Sequence, residues 1–314
     1  MTLLPRLAAL GLGLFLGSAA VQAEPLTFAW SPTPQAPQIE LARAAGYFAA
    51  AGLEVEIVPF ASGREAFEAL LGGQADLAFM AEFPAATGIL TGQRFAIIAD
   101  LARYSGSRII GTATAGPLTR MEDLQGRRIG TTIGTNVHYF LDRALGQAGV
   151  SAEIVSAAPA DLVPALARGD VEAIAPFPSF YAAAAATLGE AYRELRPGGY
   201  AVHYILVTTP EQAETARISA FLGALARAEA DLKADPVAAQ SVVSKAMGGT
   251  IRAEQVAALW RDVEIGLALD PSLTTLIRAE AEWIVDQGVI RGPVPSAETV
   301  AGYITPKALQ AAAR

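Results

Sequence analysis

The chain has 314 residues, 31 acidic against 23 basic, for a formal net charge of −8 at pH 7, with 52% apolar residues and no cysteine. That acidic balance argues against nucleic acid or an anionic membrane surface as partner, and the lack of cysteine excludes disulfides and thiolate chemistry. A chain of this length buries ample core without disulfides, and length alone suggests two domains.

The N-terminus reads as an export signal. Arg6 supplies a positive region, Leu7 to Leu16 an apolar core, and Val21-Gln22-Ala23 a small-residue cleavage pattern. Cleavage is expected after Ala23, which removes residues 1–23. The mature chain then carries −9, from 31 acidic and 22 basic residues once Arg6 is gone. The apolar run falls short of a membrane span, so a soluble periplasmic protein is expected.

From Leu26 onward strand and helix periods alternate. Strands are expected at 26–30, 53–60, 76–80 and 95–101. Helices are expected at 39–51, at 64–71 behind a Ser62 cap, and from the turn Glu82-Phe83-Pro84 to about 92. The pattern restarts near 119, with a short helix at 121–124, strands at 128–132, 153–157, 171–175 and 200–208, and helices at 137–148 and 160–168. From Pro210 the chain turns helical, at 211–234, 237–246, 253–263 and 273–287. The fold class is therefore α/β, with two mostly parallel sheets flanked by helices and a helical tail free to pack on the first. Ligands in such sheets bind beyond the carboxyl ends of strands. The loops after Trp30, Phe60, Met80, Leu101, Thr132 and Ala175 are the expected walls of a cleft.

The stretch from Gly130 to Leu141 is the centre of that arrangement. A strand ends in Ile133-Gly134-Thr135-Asn136, and a helix begins there with its N–H groups and positive dipole end free to meet an anion.

Several segments together resemble the substrate-binding proteins of ABC importers, in the branch associated with nitrate, sulfonate, taurine and thiamine-precursor uptake. They are Trp30-Ser31-Pro32, Ala45-Gly46-Tyr47-Phe48, Gly52-Leu53-Glu54-Val55, Ser62-Gly63 and Leu71-Gly72-Gly73-Gln74-Ala75-Asp76-Leu77-Ala78. Glu122-Asp123-Leu124-Gln125-Gly126 and Leu166-Ala167-Arg168-Gly169-Asp170 follow in the same order. The resemblance implies a two-lobed periplasmic-binding-protein fold of the type with two crossovers. Residues 24–112 and 212–314 would form the first lobe and 113–211 the second, with hinges near 107–118 and 206–212. Where related sulfonate binders often carry Trp and Asp before a Pro, this chain has Ala175-Pro176-Phe177-Pro178-Ser179-Phe180, a more apolar wall.

The candidate ligand-binding residues are Trp30, Gln35, Ser62, Arg64, Glu82, Thr135, Asn136, His138 and Phe177. Glu82, at a strand's carboxyl end, either pairs with a ligand ammonium or serves the dipole of the helix it opens. Arg64 either clamps an acidic group or faces solvent. Thr135 and Asn136 would hold an oxyanion, and His138 either donates to the ligand or is structural. Trp30, Phe177 and Phe180 would give an aromatic wall, while Gln35 and Ser62 would add hydrogen bonds. Arg103 and Tyr104 belong to the hinge or the pocket.

An enzyme is the weaker reading. His138 and His203 are the only histidines, and neither a Gly-x-Ser-x-Gly elbow nor a His-Glu-x-x-His pair occurs. No cofactor and no metal are expected. The expected partners are a small organic anion or zwitterion, sulfonate- or taurine-like, and an inner-membrane ABC permease, with the protein acting as a monomer. A pyrimidine thiamine precursor is the alternative solute, and sensing the alternative role.

Overall fold

The structure, a computed structural model, describes residues 25–312; the expected export signal at 1–23 lies outside the described residues. Eleven strands form two sheets among the described residues. In chain order they are β1 (Leu26–Trp30), β2 (Val55–Pro59), β3 (Leu77–Ala81), β4 (Ala96–Tyr104), β5 (Ile109–Thr112) and β6 (Arg128–Thr131). Then follow β7 (Glu153–Ser156), β8 (Ala173–Ala175), β9 (Tyr192–Leu195), β10 (Val202–Thr208) and β11 (Val263–Ala268). The first sheet has the order β11-β4-β10-β3-β1-β2 and the second β7-β6-β8-β5-β9. Each sheet with its helices makes one lobe.

The parallel pairs β1–β2, β1–β3, β6–β7 and β6–β8 arise from the expected strand–helix–strand units. Runs such as Leu77-Ala78-Phe79-Met80 are buried throughout, because helices cover both faces of the sheet. The antiparallel strands are those beside the crossovers. β10 lies between β3 and β4 and is buried along its whole length, β11 pairs with β4, and β5 pairs with β8 and β9.

Those pairings correct the expected boundaries. Residues 109–112, within the expected first lobe but not expected as a strand, form β5 and pair in the second sheet, while β10, within the expected second lobe, pairs in the first. The chain changes lobes earlier each time, at 105–108 and at 196–201, rather than at 107–118 and 206–212. The second crossover contains Gly198 and Gly199, both with positive φ of 70° and 73°, a backbone state that L side chains resist. The helix expected over 39–51 is broken at Gly46, φ 70°, into Gln38–Ala44 and Tyr47–Ala50.

The helical return packs on the first lobe as expected. Phe221, on the helix Ala216–Ala234, stacks 4.9 Å from Phe48 and meets Phe28 edge-on at 5.4 Å. The helix Pro271–Asp286 lies against the helix Phe83–Leu90, and its Trp283 donates to Asp142 of the second lobe at 2.6 Å. Among the described residues no helix is long and apolar enough to cross a membrane.

Candidate ligand-binding site

A cavity of about 390 Å³ lies between the lobes, at the carboxyl ends of β1, β2 and β3 on one side and β6 and β8 on the other. The first lobe contributes Ser31 to Thr33, Phe60, Arg64, Pro84 and, from the strands themselves, Phe79 and Tyr204. The second contributes Thr135, Asn136 and Phe177 to Phe180. The loop Met247–Ile251 of the helical return completes the wall. Five of the six expected loops contribute; only the loop after Leu101 does not.

The turn after β6 is arranged to leave donors free. Thr131, Thr132 and Thr135 spend their hydroxyls on the carbonyls of Ala175, Ala157 and Thr132, at 3.0, 3.1 and 2.7 Å. Thr135 therefore gives no side-chain cap to the helix Asn136–Ala148. Asn136 is only 4% exposed, lines the cavity, and has no hydrogen-bond partner among the described residues. Its amide stays open to the cavity, where a ligand oxyanion would engage it together with the free N–H groups of the first helical turn.

Arg64 faces this turn from the other lobe. A Cβ placed on Gly134 would lie 3.7 Å from the Arg64 Cδ, so the side chain spans the cleft. Its nearest carboxylate, on Glu68, is 3.9 Å away, at the limit of an ion pair, and the side chain is 45% exposed. The cavity thus has one cation and no carboxylate in its lining. Phe60, Phe79, Phe177, Phe180 and Tyr204 provide its aromatic surface, and burial keeps the Tyr204 phenol protonated as a neutral donor.

Four of the nine candidates therefore meet at the cavity: Arg64, Thr135, Asn136 and Phe177. The other five do not line it. Trp30 is a core residue, its indole donating to Glu40 at 3.0 Å and its ring 4.5 Å from Phe79, which it supports from behind. Ser62 caps its helix by accepting from the Glu65 N–H at 3.2 Å. Gln35 is buried and accepts from Thr33, which does line the wall. His138 faces a neighbouring apolar groove and meets Trp283 edge-on at 5.1 Å. Arg103 pairs with Asp270 at 2.7 Å and with Glu264, and Tyr104 is buried with its hydroxyl on the Gly106 carbonyl at 2.5 Å.

Glu82 is the largest correction. It neither reaches the cavity nor caps its helix; it is fully buried beneath the turn, accepting from the Tyr200 hydroxyl and from the His203 N–H at 2.8 Å. Tyr200 also reaches Glu280 at 3.3 Å. Burial raises the Glu82 pKa, and burial together with the charge on Glu82 raises that of Glu280 well above the usual carboxylate range. His203 is held by Asp100 at 2.5 Å; burial alone would lower its pKa, but the Asp100 carboxylate reverses this and raises it.

Sequence reasoning missed Phe79, Tyr204 and the Met247–Ile251 loop. Gly248-Gly249, between the expected helices at 237–246 and 253–263, is a turn signal but carries no sign of reaching the cleft.

A family model described as NMT1/THI5 like matches residues 33–239, more than half of the chain. The chain belongs to that family. No curated protein matches the sequence. Among solved structures the alkanesulfonate-binding protein SsuA from Xanthomonas axonopodis pv. citri, bound to MOPS, is similar at TM-score 0.74 and 19% identity, over 91% of this chain and 100% of that one. The periplasmic aliphatic sulphonate binding protein SsuA from Escherichia coli gives 0.72 and 21%, over 86% and 90%. The periplasmic nitrate-binding protein NrtA from Synechocystis PCC 6803 gives 0.72 and 12%, over 92% and 88%. This member of the NMT1/THI5-like family has the periplasmic-binding-protein fold, shared with those sulfonate- and nitrate-binding proteins.

Proposed function

We propose that the protein is an exported solute-binding protein that captures a small organic anion between its lobes and delivers it to an ABC importer. The observation that carries this is the juxtaposition of Arg64 and the open helix start at Asn136 across one cavity lined by five aromatic rings. Arg64 and the helix start would take the oxyanion, a sulfonate or carboxylate, and the rings its apolar or aromatic body. Closure brings the two anion-holding elements together, since they belong to different lobes. A permease would then distinguish closed from open protein.

The absence of a carboxylate from the lining speaks against a taurine-like zwitterion, because its ammonium would be buried without a counter-charge. It speaks for a binding role as well, since neither histidine nor a carboxylate stands in the lining to act as a general base.

The test is thermal unfolding of protein starting at Glu24 against alkane- and arylsulfonates, taurine, nitrate, small carboxylates, amino acids and thiamine precursors. A ligand at 100 times its Kd adds about 2.7 kcal/mol of stability. The expected result is a shift with amine-free sulfonates or carboxylates that exceeds the shift with taurine. A shift confined to amino acids or to an uncharged pyrimidine would overturn the anion reading.

A further inference from the structure

A second and larger cavity, of about 560 Å³, lies at the crossovers rather than in the cleft. Its walls come from both lobes and both connections: Ser105 on the first crossover, Gly199 to Ala201 on the second, Arg143 on the second-lobe helix, and Arg261, Ser272 and Thr275 on the helical return. Its charges are unevenly matched. Arg103 is neutralised by Glu264 and Asp270, and Asp262 is engaged by Arg196 at 3.2 Å. Arg143 and Arg261 have no carboxylate partner among the described residues. Arg143 bonds only the Tyr139 hydroxyl, at 3.2 Å, and its Nε is buried with no partner at all. Two unneutralised guanidinium groups thus line one open cavity, with Ser272 and Thr275 beside them.

We infer that this hinge cavity is a second anion-binding site, taking a small inorganic oxyanion of the sulfate or phosphate type between Arg143 and Arg261. A tetrahedral oxyanion matches the planar guanidinium donors, and it would supply the acceptor that the Arg143 Nε lacks. The site is coupled to the cleft by a single rigid element. Arg143 and Asn136 lie on the same helix, seven residues and so about 10 Å apart along its axis. An anion tying Arg143 to Arg261 fixes that helix against the first lobe, and thereby fixes the position from which Asn136 faces Arg64. Sulfate at the hinge and the organic anion in the cleft then alter each other's affinity by the same factor.

The proposal does not depend on what the cleft binds, and the experiment separates the two sites. Sulfate binding is measured by calorimetry and thermal unfolding at constant ionic strength, with chloride as the balancing anion, for the unaltered protein, Arg64→Gln, Arg261→Glu, and Arg143→Gln with Arg261→Gln. The expected result is millimolar or tighter sulfate binding that survives Arg64→Gln and weakens at least tenfold in both hinge variants. Arg261 is exposed, so Arg261→Glu reports even if the double variant folds poorly. Sulfate binding that is lost in Arg64→Gln and kept in the hinge variants would assign the ion to the cleft and overturn the inference. So would the lack of any sulfate effect beyond that of chloride.

Discussion

The turn after β3 separates two polar clusters of opposite character. Ala81 and Pro84 face the cleft, while Glu82 between them points inward to Tyr200, His203 and Glu280. The inward cluster is richer in charge and is closed off from the cleft: Glu82 and His203 are bonded within it, and the two oxygens it leaves without partners, Asp100 Oδ1 and Glu280 Oε2, are buried. The cleft has a single arginine and an asparagine, but the Asn136 amide is open to the cavity with no partner among the described residues and Arg64 is barely paired. What marks a binding residue here is a polar group left open to the cavity, not the quantity of charge and not a missing partner alone, since Asp100 Oδ1 and Glu280 Oε2 lack partners but are sealed in the core. A carboxylate that satisfies two donors of its own chain has little to offer a ligand, whereas an amide open to the cavity is free to bond one.

The widest separation between the clusters is expected from Glu82→Ala. It strips the His203 N–H of its acceptor, leaves Tyr200 only the longer bond to Glu280, and costs about 3 kcal/mol of folding free energy. Denaturant unfolding of the ligand-free protein measures this. Ligand preference between amine-bearing and amine-free sulfonates should not change; a loss confined to the amine-bearing ligand would put Glu82 back in the cleft.

Arg64→Gln and Asn136→Ala should do the opposite. Each removes a donor to the bound oxyanion and weakens binding roughly tenfold to a hundredfold, about 1.4–2.8 kcal/mol. The ligand-free melting temperature should stay close to that of the unaltered protein, since neither side chain holds the fold together. A large fall in ligand-free stability for Asn136→Ala would mean that its amide has a structural partner.

The same contrast explains how much could be read from the residues alone. The strand–helix–strand units, the loops that form the cleft and the helix start at Asn136 were legible, because apolar period and turn chemistry are local. β5, β9 and β11 were not: they are four to six residues long, and β5 acquires its identity from β8 and β9, more than 60 residues away. Trp30 illustrates the limit at single-residue scale. It ends β1 and packs inward on Phe79, while Ser31, one residue on, lines the cavity. Alternation along a strand makes that one step decisive. Glu82 and Asn136 were equally plausible as sequence, because the groups that satisfy Glu82 lie 118 to 198 positions further along the chain.

A smaller effect is expected from Glu280→Gln, and it appears only as a function of pH. The Glu82–Glu280 pair has raised pKa values in the folded protein. Its contribution to stability is therefore fully present below the unfolded carboxyl value of about 4.3 and is lost as pH rises toward and through the folded value, since the unfolded chain gives up the proton first. Glutamine imitates the protonated acid, with an amide to donate to Glu82 and a carbonyl to accept from Tyr200. Glu280→Gln should match the unaltered protein at pH 4–5 and gain on it as pH rises to 8. Asp100 and His203 are also raised, so they add losses of the same sign and the slope shrinks without vanishing. Parallel curves for the two proteins would show that the Glu280 carboxyl is not raised in the folded protein.

The least effect on binding is expected at His138, and that small value is informative because this residue lies two positions from Asn136. The side chain turns from the cavity to Trp283, and burial lowers its pKa below the ordinary value near 6.5, against a weaker opposing pull from Asp142. It is neutral at pH 7 and adds no charge to the anion site. Its titration acts on stability instead: a base with a depressed folded pKa gives a contribution fully present above about pH 6.5 that is lost as the solution is acidified through the folded value. His138→Ala should thus leave ligand affinity within about twofold between pH 6 and 8, a difference of about 0.4 kcal/mol or less, while making stability less sensitive to acid. A tenfold loss of affinity, largest at pH 6 and shrinking as pH rises, would instead place a protonated imidazole on the ligand and move the boundary between the two clusters two positions further along the helix.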